Sequence, residues 1–166
     1  MRESIDLSDL DARDSARIVV GYFPGVAALA HAVTVRAKVL HPLTTTVESD
    51  ALSQAQAANR FGADVYVGFE SSSDEGCTIF YYEVPTYVSV GGRNLARRIA
   101  AAMSSRVPEL SVRTQGVRHP VLRETRMTAV LCSMAPHNVV SLKTSALSMA
   151  VNDALDMWRD DPLTEI

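Results

Sequence analysis

Cysteine is scarce in this chain of 166 residues: only Cys77 and Cys132 occur, and they form no C-x-x-C pair. A disulfide framework and the cysteine-rich zinc sites are therefore excluded. Long apolar runs are absent too, and none approaches the roughly 18 residues of a membrane span. The polar opening, MRESIDLSDLDARDSAR, has no apolar stretch of the kind a secretory signal needs, so a cytoplasmic location is expected. There is no excess of positive charge: 16 Lys and Arg stand against 19 Asp and Glu, a net charge of −3. That gives no general attraction to nucleic acid or anionic lipid, and neither is expected as a partner. The few glycines in GYFPGV and VGGRN do not have the G-x-G-x-x-G or Walker spacing of a nucleotide loop. Nor do His31, His41, His119 and His137 make an H-x-x-x-H or H-E-x-x-H pattern on one helix face.

What is present suits one domain with a sizeable core, since 47% of the residues are hydrophobic. RIVVGYF (17–23) ends in Pro24-Gly25 and predicts a buried strand and its turn. Residues 26–40 are apolar almost all round, as in a helix packed on a sheet and stopped by His41-Pro42. TTTVES reads as a short strand. Ser49 or Asp50 can cap a helix over 51–61 that Gly62 closes. DVYVGF and CTIFYYE predict further strands, and residues 94–107 a helix whose Leu95, Ile99 and Met103 share a face. HPVLRET and TAVLCSM read as two more short apolar runs before a last helix over 144–159. The alternation implies an α/β domain: a mostly parallel, twisted sheet with helices on both faces, three layers in all. Its expected limits are 17–160, with a flexible arm at 1–16 and a tail at 161–166.

The chemistry candidates cluster at strand ends. Cys132-Ser133 follows the TAVL run, but L-C-S-M-A is not the glycine-flanked elbow of a serine hydrolase. A cysteine nucleophile needs a histidine base and some stabilisation of its thiolate, and only His137 is close in sequence. A small buried pair is the preferred reading. Glu70 sits at the carboxyl end of DVYVGF, where α/β folds build their sites, and is a candidate to touch a ligand. RNLARR (93–98) reads as a solvated basic face.

Three stretches together carry a resemblance. AQAANRFGADVYVGFES (Ala55–Ser71) is similar to the motif R-x-x-x-A-N-x-x-x-A-D-L-x-I-S-I-H-A, and GCTIFYYE with RNLARRIAAAM is similar to a G-x-x-x-Y-Y strand and its following helix. VLRETRMTAVLCSM (Val121–Met134) is similar to V-L-R-x-T-x-M-P-A-V-L-V-E. These motifs belong to the zinc-dependent N-acetylmuramoyl-L-alanine amidases, hydrolases that cut the bond between MurNAc and the peptidoglycan stem peptide. The resemblance runs from about Arg17 to Trp158 and implies an amidase-like fold.

The resemblance also assigns the chemistry by position. In that family a histidine after the first strand, a glutamate opening the first helix and the histidine of S-I-H hold zinc. A glutamate after the A-V-L strand serves as general base. Here the first histidine position is Pro24, the helix opens directly at Val26-Ala27, the second histidine position is Glu70, and the base position is Ser133. The expectation is therefore a domain without zinc and without catalytic residues, acting as a binding or regulatory module in peptidoglycan metabolism. The wording GRNLA and LRETRMTAV is similar to actinobacterial amidase homologues of the CwlM type, a group that regulates peptidoglycan synthesis from the cytoplasm. That likeness implies a cell-wall synthesis protein or a peptidoglycan-related ligand as partner. The vestigial cleft, expected near Glu70, Arg123 and Ser133, would hold such a ligand or be filled by side chains such as Tyr22 and Phe23. Two other readings remain open. One is an active amidase with a metal site rebuilt from Glu70, a histidine and Cys132; the other is an oligomerisation domain docking through Tyr81, Tyr82 and Tyr87.

Overall fold

The computed structural model describes residues 15–162, 164 and 166. All but the last two residues of the expected arm, 1–16, lie outside them, as do Leu163 and Glu165 of the tail. The chain forms β1 (Ile18–Tyr22), α1 (Ala27–Leu40), β2 (Thr44–Glu48), α2 (Ala51–Phe61), β3 (Val65–Ser71), β4 (Gly76–Val84) and β5 (Tyr87–Val88). There follow α3 (Val90–Arg106), β6 (Val112–Val117), α4 (Pro120–Glu124), β7 (Thr128–Ala135), α5 (His137–Leu142) and α6 (Thr144–Asp160).

These strands make one seven-stranded sheet in the order β2-β1-β3-β7-β4-β5, with β6 paired to the other side of β4. Strands β2, β1, β3 and β7 run parallel, as do β4 and β6, while β4 runs antiparallel to β7 and β5. Period-2 alternation sorts each strand's residues between two cores. Val20, Val67, Phe69, Val130 and Cys132 face α1, α3 and α6. Val19, Tyr66, Ala129 and Leu131 face α2 and α4. The result is the three-layer α/β domain that the element pattern implies.

Local chemistry accounts for the helix limits. The Asp50 carboxylate accepts the Ser53 amide at 2.9 Å, and Gly62 closes α2 in the left-handed region at φ 67°, where a glycine pays no Cβ penalty. Further along, three elements depart from the sequence reading. The HPVLRET run is the short helix α4, because Pro120 fits a first helical turn and the His119 side chain caps it. VRTQGV, whose first four residues alternate between half-buried and exposed, is the strand β6, and HNVVSL forms α5.

RNLARR is not a solvated face. Asn94 is fully buried and Arg98 nearly so, and both reach the last stretch of chain: Asn94 Nδ2 donates to the Pro162 carbonyl at 3.1 Å and Arg98 to that of Asp161 at 3.3 Å. A basic helix segment was thus drawn inward by backbone acceptors that follow α6, a contact that periodicity cannot reveal.

Candidate functional site

The connection from β1 to β2 packs α1 on one face, and the return from β2 to β3 packs α2 on the other. The sheet therefore has a switch point between β1 and β3, the place where an α/β sheet opens a crevice beyond its strand ends. Register fixes what stands there. Glu70 of β3 pairs with Ser133 of β7, Ser133 with Thr78 of β4, and Thr78 with Arg113 of β6. Residues in register share a face, so four strands align a cation, two hydroxyls and a carboxylate in one row on the α2/α4 side. Arg113 Nε donates to Thr78 Oγ1 at 2.9 Å, and Phe23, whose amide bonds the Phe69 carbonyl at 3.0 Å, closes the row beyond Glu70.

Beneath this row the crevice is filled. Gly21 and Gly68 face each other across β1 and β3, and the Tyr66 phenol lies over both of them. A Cβ at Gly68 would meet the Tyr66 hydroxyl at 2.7 Å, and one at Gly21 would run into Tyr66 and Gln54, so only glycine admits the ring. The phenol donates to Gln54 Oε1 at 2.6 Å, while Gln54 Nε2 donates to the Tyr22 and Ser49 carbonyls at 3.1 and 2.8 Å. Burial, with the Glu70 and Cys132 sites adding to it, pushes the Tyr66 hydroxyl far above the ordinary tyrosine range, so it stays a proton donor.

His119 stands at the edge of the same face. Its Nδ1 accepts the Val121 amide at 3.2 Å, which requires that nitrogen to be unprotonated. Burial lowers its affinity for a proton, and the Glu70 carboxylate partly opposes this. Since the folded value is the lower, the unfolded chain takes up the proton first as pH falls. The stability His119 lends is then full above about pH 6.5 and is lost below it. Urea midpoints measured near pH 7.5 and near pH 5.5 should fall less in His119→Asn, which still caps α4 but does not titrate; an equal fall in both proteins would contradict this role.

The expected site residues divide. Glu70 and Ser133 do come together, and Ser133 is buried. Arg123 does not join them. It lies by the opening end of β7, beside Thr128 and Ala129, with its guanidinium on its neighbour Glu124 at 2.7 Å; α4 places it at the other end of the strands. The arginine in the row is Arg113, which the sequence reading missed because β6 was not recognised. Phe23 packs against the α2 side as expected, whereas Tyr22, one residue earlier, faces the opposite core and stacks edge-on against His31 at 5.3 Å. Pro24 is exposed in the turn after β1, and α1 opens with no acidic residue in its first turn.

Cys132 is fully buried on the α1/α3/α6 side, and burial raises its thiol well above the usual range. It is thus a core residue and no nucleophile. Of the other histidines, His41 is buried against Asp156, and His137 touches Ser141 on the surface. Tyr81 packs on one core and Tyr82 on the other, leaving Tyr87 as the exposed member of the three. Among the described residues no group of three or more His, Cys, Asp and Glu side chains could hold a metal ion. At the row itself the donors are a single carboxylate and neutral oxygens, a set that does not fit zinc, which takes nitrogen, sulfur and carboxylate ligands in threes and fours.

The N-acetylmuramoyl-L-alanine amidase AmiC2 of Nostoc punctiforme superposes with a TM-score of 0.67 at 14% identity, over 87% of this chain and 98% of that one. The amidase from Clostridium difficile 630 gives 0.66 at 15% identity, over 89% and 99%. The fold is that of the N-acetylmuramoyl-L-alanine amidases. A metallo-carboxypeptidase from Burkholderia cenocepacia also superposes, with a TM-score of 0.57 at 10% identity over 96% of this chain and 59% of that one. No protein-family profile matches the sequence, and no curated protein matches it. The likeness is one of fold, at 14 and 15% identity.

Proposed function

We propose that this amidase-fold domain is a catalytically inactive module that binds a peptidoglycan-related ligand or a protein of cell-wall synthesis and so regulates that metabolism. The observation that carries the reading is the row Arg113–Thr78–Ser133–Glu70, which lies at the carboxyl ends of β3 and β7 and the opening ends of β4 and β6. The row keeps the crevice's place but not the donors of a hydrolytic metal site. Zinc hydrolysis needs three protein ligands, an open water position and a base for that water. Ser133, at the base position, is no proton acceptor at neutral pH. What remains suits recognition: the exposed Arg113 guanidinium at one end and the half-buried Glu70 carboxylate at the other complement a polar peptide or sugar fragment, while Ser133 lies buried between them. A cytoplasmic setting is part of the proposal, and two free, buried cysteines are at home in a reducing compartment.

The test uses a muropeptide, MurNAc joined to its stem peptide. Offered to the protein with added zinc, it should remain intact, while backbone amide signals of Thr78, Arg113, Ser133 and Glu70 shift. Release of free stem peptide would establish a hydrolase and overturn the proposal.

A further inference from the structure

At the opposite end of the strands from the row, where β7 begins, lies a groove of about 470 Å³. Tyr82, Tyr87, Gly91, Arg123, Arg126 and Thr128 are among its lining residues, and among the described residues no carboxylate side chain is. Its volume is in the range of small-molecule pockets. We propose that this groove binds a small organic phosphate of nucleotide size, with the phosphate at the arginines and a planar ring at the tyrosines.

Each part of that ligand answers to a part of the wall. Arg123 and Arg126 supply charge in the planar form that matches phosphate oxygens. Arg123 is partly engaged by Glu124 through Nε at 2.8 Å and Nη2 at 2.7 Å, so the larger share of the charge offered to a phosphate comes from Arg126. The Arg126 amide is tied to Asn59 Oδ1 at 2.9 Å, which fixes the backbone from which its side chain extends. Val90 and Gly91 open α3, so the positive end of a 17-residue helix adds to the same field. The Tyr82 and Tyr87 rings stand 6.1 Å apart and tilted by 46°, and Tyr87 is 59% exposed. An exposed aromatic beside a half-buried one offers a face on which a ring can stack. None of these residues lies in the row that ends at Glu70, so the two sites can be tested apart.

The experiment titrates the isotopically labelled protein with adenosine monophosphate, and separately with adenosine and with inorganic phosphate. The nucleotide should shift amides in 88–91 and 123–128 saturably, bind at least about tenfold more tightly than either half, and weaken as salt is raised. Arg123→Ala with Arg126→Ala should lose about tenfold or more in affinity, and Tyr87→Ala should bring the nucleotide towards the affinity of phosphate alone. Both arginines and Tyr87 are exposed, so these variants are expected to keep the folded spectrum. Shifts without saturation, shifts centred on Glu70 and Ser133, or phosphate binding as tightly as the nucleotide would each overturn the proposal.

Discussion

Tyr66→Ala is expected to destabilise the protein by about 4 kcal/mol or more, the combined cost of a large core cavity and an orphaned buried acceptor. Tyr66 is fully buried, its ring fills the space between Gly21 and Gly68, and its hydroxyl is the donor to Gln54 Oε1. Losing that much removes a large share of the stability of a domain this size. Tyr66→Phe separates the two contributions. The ring stays, the buried Gln54 oxygen loses its partner, and the expected cost is about 2 kcal/mol. Urea unfolding of both variants measures this, with the alanine variant clearly the weaker. If the two variants were equal, or if Tyr66→Phe had no effect, the phenol would not be the prop beneath the crevice that the geometry makes it.

His41→Leu should cost about 2 kcal/mol, because it orphans a buried amide of the strand entrance. The His41 side chain is 2% exposed and Asp156 41%. Nδ1 accepts the Ala16 amide at 3.0 Å, so Nε2 carries the hydrogen and donates to Asp156 Oδ1 at 3.1 Å. One imidazole thereby ties the chain entering β1 to the end of α1 and to α6. Leucine preserves the apolar volume but accepts nothing. Besides the lower urea midpoint, hydrogen exchange at Ala16 should quicken relative to the central strands. Unchanged exchange there would mean that the bond holds nothing in place.

Much of the fold was legible because its strands are short apolar runs bounded by turn residues, and its helix ends carry their own caps. VYVGF and TAVL are buried on both faces, and Asp50 and Gly62 bracket α2 as their chemistry demands. SVRTQGV was not legible: an edge strand half open to water needs no apolar run, and its pairing partner β4 lies some thirty residues away. With β6 unread, Arg113 could not be placed beside Thr78, and the arginine expected near Glu70 was Arg123, which lies instead by the opening end of β7. The faces of Tyr22 and Phe23 hang on a one-residue difference in strand parity, which sets which core each side chain enters. Ser133 and Glu70 were found together because both end parallel strands that turned out to be neighbours in register. The plug made by Tyr66 was missed, since it depends on two glycines meeting across strands 47 residues apart in sequence.

The proposal of an inactive module requires that this amidase-like fold hold no catalytic zinc. Zinc content settles it most directly: protein purified without chelator, offered zinc, and then desalted before elemental mass spectrometry. Less than about a tenth of an equivalent should be retained, where a catalytic site would hold close to one zinc per chain. Near-stoichiometric zinc that disappears in Glu70→Ala would contradict the proposal, and would mean that a metal site has been rebuilt around that carboxylate.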